Sequence, residues 1–151
     1  MKKYRAYIPV VLIILLFVLL VVFRDKMVNY ISTSMTEQMT TDDMEKVRNF
    51  VEEQYDYGKN GKGYRYTFLE FGSTGCNACR QMEGVMEEIK SKFPDTVHVV
   101  FINVMGKENK AIVDYYGIAT IPTQILLDRQ GEEFYRHSGY LSADDISIKF
   151  K

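Results

Sequence analysis

Two cysteines, the only two in the chain, stand with two residues between them in Gly75-Cys76-Asn77-Ala78-Cys79-Arg80. Apolar residues follow at Met82, Val85, Met86, Ile89 and Phe93, on one face at helical spacing. The pair therefore opens a helix over 76–92. Cysteines at these positions can close a small disulfide ring, with the first thiol exposed and the second tucked behind it. The free N–H groups and positive end of the helix favour thiolate, and Arg80 adds a cation. A Cys76 thiolate can attack a partner's disulfide, and Cys79 can then resolve the mixed disulfide. Gly75 and Asn77 flank the attacking sulfur as candidate substrate contacts, while Ala78 and Arg80 are candidate modulators of the pair. Two blander readings compete. A structural disulfide here closes a tiny loop and adds little stability. A metal site needs more ligands, and only His98 and His137 are on offer, each in a strand where a histidine is ordinarily a surface or cross-strand residue.

The surrounding pattern alternates strand and helix. Asp42 or Asp43 is a plausible N-cap for a helix carrying Met44, Val47, Phe50, Val51 and Tyr55. Residues 58–63 read as a loop. Tyr64–Phe71 is aromatic and short, hence a strand; Val97–Val104 is nearly all apolar or β-branched, hence a buried strand. A short helix is expected over Asn109–Tyr116 and a strand over Thr123–Leu127. The Asp128-Arg129-Gln130-Gly131 turn leads into a hairpin partner over Glu132–Tyr140. Ser142 opens a last helix with Asp145 as its capping partner. A crossover helix between two strands implies a parallel pair, and the late hairpin adds antiparallel strands. The expected fold is α/β, one mixed sheet with helices on both faces.

The chain has 151 residues, 46% of them apolar, with 19 basic and 20 acidic side chains and no Trp. That composition excludes a disordered chain and a strongly basic nucleic-acid binder. Two cysteines are too few for a disulfide-stapled miniprotein or a four-thiolate zinc site. Ile8 to Phe23 is an uncharged apolar run, preceded by Lys2, Lys3 and Arg5 and followed by Arg24, Asp25 and Lys26. Sixteen helical residues span ~24 Å, and tyrosines and snorkelling arginines at the ends make up the rest of a bilayer. No small-x-small cleavage site follows, so an uncleaved anchor is preferred over a signal peptide. The domains expected are a cytoplasmic N-terminus (1–7), a transmembrane anchor (8–23), a juxtamembrane stalk (24–41) and a folded domain (42–151). The basic flank places the N-terminus in the cytoplasm and the domain outside. Residues 27–151 carry a formal charge of −5, which disfavours nucleic acid and other anionic partners. The C-terminal Ser-Ile-Lys-Phe-Lys holds no endoplasmic-reticulum retention signal, pointing to a bacterial envelope.

Phe68 to Ser142 resembles thioredoxin. The cysteine pair opens the first long helix, Gly117-Ile118-Ala119-Thr120-Ile121-Pro122-Thr123 precedes a strand, Asp128-x-x-Gly131 follows, and Gly139 stands before the last helix. By its residues alone, Ile121-Pro122 is an ordinary trans bond at a strand start. The resemblance implies instead that Pro122 is cis and faces the cysteines, that Ile121 contacts substrate backbone, and that Cys76 is the attacking thiol. Glu70 lies where thioredoxins bury an aspartate beneath the resolving cysteine. It either occupies that place, with a raised pKa and the ability to take the Cys79 proton, or points to solvent from an alternating strand. The chain departs from the family in having Gly75 for the usual Trp, Asn-Ala between the cysteines, Gly84 for the helix-kinking Pro, and no lysine over 101–103. Together these imply a membrane-anchored thiol–disulfide oxidoreductase reducing disulfides in exported proteins. It would need no organic cofactor or metal, and would be recharged by an integral-membrane thiol donor. An oxidase or isomerase on the same fold is the alternative. A third reading is a copper-binding or interaction module, to which Met27, Met35, Met39 and Met44 point weakly.

Overall fold

The computed structural model describes residues 7–150. The predicted residues Lys2, Lys3 and Arg5 before the apolar run lie outside that range. The elements run α1 (Ile8–Glu37), α2 (Thr41–Tyr55), α3 (Tyr57–Asn60), β1 (Tyr66–Gly72), α4 (Asn77–Lys92), β2 (Val97–Asn103), a 3-10 turn (Lys107–Asn109), α5 (Lys110–Tyr115), β3 (Thr123–Leu127), β4 (Glu133–Ser138) and α6 (Ala143–Ser147). The strands form one sheet in the order β2-β1-β3-β4. β1 and β2 are parallel across the α4 crossover, and the other two pairs are antiparallel. The mixed α/β sheet expected from the sequence is present.

Strand alternation divides the core in two. Leu69 and Phe71 of β1, with Ile125 and Leu127 of β3, pack against Val47, Val51 and Tyr55 of α2 and Ile112 and Val113 of α5. Phe68 and Leu126 turn the other way, under Met82, Val85, Met86 and Ile89 of α4 and Ile146 of α6. Glu70 and Gly72 share the parity of Phe68, and Gln124 that of Leu126, so all three face α4.

Several local expectations are corrected. Thr40 caps α2, its hydroxyl accepting from the Asp43 N–H at 3.1 Å, so the two aspartates lie inside the first turn. Phe50 points outward, edge-on to Tyr55, and is not part of the core. The 58–63 loop is partly a turn of helix, with the Asp56 side chain accepting from Lys59 N. β1 starts at Tyr66; Tyr64 leaves the strand and stacks on His98, whose Nδ1 is 3.0 Å from the Tyr57 hydroxyl. The Asp128 turn forms as expected, its Oδ1 accepting from Gln130 N and Glu132 N, and Ser142 caps α6 through Asp145 N.

The stretch 27–41, polar and without a core pattern in sequence, is largely ordered helix. α1 continues to Glu37 and bends by 47° between its segments Ile8–Arg24 and Lys26–Glu37. No single described helix is long and apolar enough to cross a membrane; this bent pair qualifies jointly by length and composition. Its second segment lies on the domain. Met35 and Met39 pack against the α2–α5 core, and the Thr36 hydroxyl donates to the Asp114 carbonyl at 3.3 Å. Gly117, which follows α5 at φ 57°, lets Ser32 sit against its backbone. A methyl there would run into Ser32 Oγ and lie 2.6 Å from the Ser32 carbonyl oxygen. Gly117→Ala is therefore expected to cost about 1–3 kcal/mol, from the left-handed backbone and the displaced helix together. Urea unfolding of the full chain in detergent measures it; a loss under about 0.5 kcal/mol would mean that α1 does not bear on Gly117.

Candidate functional site

Cys76 is the N-cap of α4 in extended conformation, and its sulfur accepts the Cys79 N–H at 3.2 Å. The cap hydrogen bond and the helix terminus both stabilise negative charge on this sulfur. The two sulfurs are joined in a disulfide with a Cα–Cα distance of 5.2 Å. Cys76 is partly exposed, whereas Cys79 is only 3% exposed. This is the division between an outer and an inner sulfur that the spacing implied.

The flanking residues sort themselves by surroundings. Gly75 is exposed, and a Cβ there would meet nothing, so the approach to Cys76 is open. Asn77 is also exposed, and its Oδ1 accepts from Arg80, which moors the guanidinium on the first turn of α4. Ala78 places only a methyl between the cysteines.

Ile121-Pro122 is a cis peptide, so the trans bond read from the residues alone is corrected and the form implied by resemblance is present. Thr123 Oγ1 donates to the Thr120 carbonyl at 2.7 Å, and Gly139 N donates to the Pro122 carbonyl at 2.8 Å. These bonds fix the loop from both sides. β1 and β3 pair Phe71 with Thr123, so the same register carried one step further sets Pro122 opposite Gly72. Gly72 lies directly under the inner cysteine: a Cβ there would be 3.4 Å from Cys79 Sγ and 3.0 Å from the Phe101 ring. Proline loop and disulfide thus meet at one end of the sheet. Ile121 is half-buried at the edge of a groove of about 610 Å³, whose far wall is Arg24, Val28 and Asn29 of α1.

Glu70 is fully buried, one strand repeat (~7 Å) behind Gly72 on the α4 face. The solvent-facing alternative is excluded. Gln124, directly opposite on β3, donates its Nε2 to Glu70 Oε2 at 3.1 Å. Glu70 Oε1 and Gln124 Oε1 have no hydrogen-bond partner. Burial pushes the Glu70 carboxyl up to about 8, against a smaller downward pull from the Gln124 amide. At neutral pH the acid is mostly protonated.

Gly72 and Gln124 were not singled out from the sequence. An isolated glycine ending a strand and an amide in a mostly apolar one have no periodic signal; only the register shows what they touch.

A family model described as a thioredoxin-like domain matches residues 52–151. The chain belongs to the thioredoxin-like family. Thioredoxin-like protein HCF164, chloroplastic, of Arabidopsis thaliana is 32% identical over 74 residues, covering 49% of this chain and 27% of that protein. The thioredoxin of Methanocaldococcus jannaschii is 39% identical over 56 residues, covering 37% and 64%. The chain thus spans about a quarter of the first relative's length and just under two thirds of the second's. Among solved structures, thioredoxin NaTrxh of Nicotiana alata superposes with a TM-score of 0.52 at 25% identity, over 69% of this chain and 79% of that one. Helix α1 lies outside the residues that the family model matches and packs beside the proline loop.

Proposed function

We propose that this thioredoxin-like protein is a membrane-anchored, extracytoplasmic thiol–disulfide oxidoreductase that reduces disulfides in exported proteins. The observation that carries the reading is the Cys76–Cys79 pair itself, with one sulfur at the helix tip and the other buried over Gly72. The reduced pair attacks first through the Cys76 thiolate. Its sulfur bonds to one substrate sulfur, and the other substrate sulfur leaves as thiolate. Cys79 then gives its proton to ionised Glu70 and attacks Cys76 Sγ. The Cys76–Cys79 disulfide forms, the second substrate thiolate leaves, and both products take up protons from water. Two electrons pass from the dithiol to the substrate disulfide. Ile121 and Pro122, with Gly75 and Asn77, would hold the substrate chain beside Cys76. No organic cofactor or metal enters this sequence of steps. A thiol donor in the membrane would return the electrons.

The anchor reading rests on α1. The apolar side chains from Ile8 to Phe23 stand 44–67% exposed, uncovered by the domain, and a bilayer is the environment that suits such a helix. The basic N-terminal flank supports an outward domain.

Full-length protein in detergent micelles is expected to accelerate insulin reduction by dithiothreitol. Its reduction potential, read by thiol trapping, should lie nearer ~−270 mV than ~−120 mV. A value at the oxidising end would replace the reductant by an oxidase. Release of the protein from membranes by alkaline carbonate would refute the anchor.

A further inference from the structure

The mechanism above uses Glu70 and leaves its neighbour without a role. Gln124 is a fully buried amide in the strand Thr123-Gln124-Ile125-Leu126-Leu127. An apolar residue would fill such a place at no polar cost, so a buried amide calls for a partner. Its partner is Glu70, opposite in the β1–β3 register, which receives one amide N–H at 3.1 Å. That bond uses one donor and leaves one oxygen on each side chain unpartnered, Glu70 Oε1 and Gln124 Oε1. Among the described residues no cation forms an ion pair with Glu70. Among the described residues, Gln124 supplies its hydrogen bond.

The two unpartnered oxygens are both acceptors while Glu70 is ionised. A proton on the carboxyl turns one of them into a donor. An acid and a primary amide then offer each other one donor and one acceptor apiece. In the ionised state, among the described residues, only the amide N–H donates to the charge, in a fully buried place.

We propose that Gln124 is a positioning residue for the Cys79 step: its amide fixes the Glu70 carboxyl under α4 and governs how readily it takes up the cysteine's proton. The inference rests on the reading of Glu70 as proton acceptor. It differs from that reading in assigning control of the acid to a second strand. Removing the amide N–H removes the hydrogen bond that the described residues give the carboxylate, so the acid holds its proton more tightly. The direction agrees with the downward pull that this hydrogen bond exerts on Glu70.

The other titratable groups around the pair are few. Cys79 faces it from α4 above Gly72. From β2, Phe101 stands opposite Glu70 and is apolar. From β4, His137 stands opposite Gln124 and Tyr135 one repeat further along; the His137 ring lies 3.2 Å from the Tyr140 carbonyl through Nε2. From α6 the packed residues are apolar. His137 is therefore the competing source of a pH effect.

The test uses full-length oxidised protein in detergent with ¹³C-labelled glutamate carboxyls, together with the pH profile of single-turnover insulin reduction by the reduced form. In the unmodified protein a buried carboxyl should titrate near the value given for Glu70, and the reduction rate should rise with pH through Glu70's ionisation in the reduced form. Gln124→Met keeps the volume and removes the amide. It should move both the carboxyl midpoint and the rate profile upward by about one pH unit, a tenfold tighter proton. Gln124→Asn, which shortens the reach by one carbon but keeps an amide, should shift both in the same direction and serves if the Met variant does not fold. His137→Asn should leave the carboxyl midpoint in place. If the Gln124 variants leave both readouts where they are, or move the carboxyl but not the rate profile, the inference fails. If Glu70→Gln leaves the rate profile unchanged, the underlying reading of Glu70 fails instead, and the two failures are distinct.

Discussion

Cys76→Ser is expected to abolish disulfide exchange, lowering the rate of insulin reduction by on the order of 10³-fold or more. The outer sulfur is the one that a substrate disulfide can approach, because Gly75 leaves the path open and Cys79 is sealed under the helix. A serine hydroxyl cannot replace it: its pKa is far higher, and an oxygen forms no exchangeable bond to sulfur. Cys79→Ser should behave differently. The attack still occurs, but nothing resolves the intermediate, so a mixed disulfide between Cys76 and the substrate accumulates. It should run as a dithiothreitol-sensitive band of higher mass on a non-reducing gel. The asymmetry follows from position on the helix. Cys76 is its cap, where the positive end and the Cys79 N–H hold a thiolate; Cys79 is inside the first turn against Gly72. Activity retained in Cys76→Ser, or covalent complexes in that variant and none in Cys79→Ser, would reverse the roles of the two sulfurs.

What made this site legible was its local part. The cysteine spacing, the helical period after it and the strand runs on either side are all within 40 residues, and each has its own repeat. Elements whose signal is a repeat came out with the right type and nearly the right ends. The failures share a cause. Tyr64 is aromatic and adjoins a strand, so it reads as strand, yet it satisfies itself by stacking on His98. Residues 27–37 are polar because only Met35, with Met39 just beyond, reaches the core, too few contacts to make a pattern. α1 is consequently a helical wall beside Ile121. Gln124 and Gly72 matter through residues more than 5 positions away, in a register that no sequence period encodes. The Ile121-Pro122 geometry came from likeness to other proteins, since the residues alone favour trans.

Glu70→Gln separates stability from function most sharply. Glu70 holds its proton to about 8 in the folded protein, against 4.5 for an exposed glutamate. Below pH 4.5 both folded and unfolded chains carry the proton, and the acid costs nothing. Between 4.5 and 8 the unfolded chain releases it while the folded chain keeps it, so the unfolded state gains stability as pH rises. Above 8 both are ionised and the penalty levels off, with a charge buried. At pH 7 the difference amounts to about 3 kcal/mol against the native fold. Glutamine has nearly the same shape, does not titrate, and brings N–H donors opposite a residue whose Oε1 is unpartnered, Gln124. Glu70→Gln should therefore stabilise the oxidised protein at pH 7 by up to that amount, with the gain shrinking toward zero as pH falls to 4.5. Urea unfolding at several pH values checks it. The same variant should slow resolution of the mixed disulfide, since Cys79 loses the group that takes its proton. The cost of keeping this acid in the core, when a neutral isostere would be more stable, is the reason to propose it as the proton acceptor. Should Glu70→Gln be no more stable at pH 7 than at pH 4.5 relative to the unmodified chain, the carboxyl is already ionised at neutral pH. It would then act as a fixed charge beneath Cys79, with no part in moving the proton.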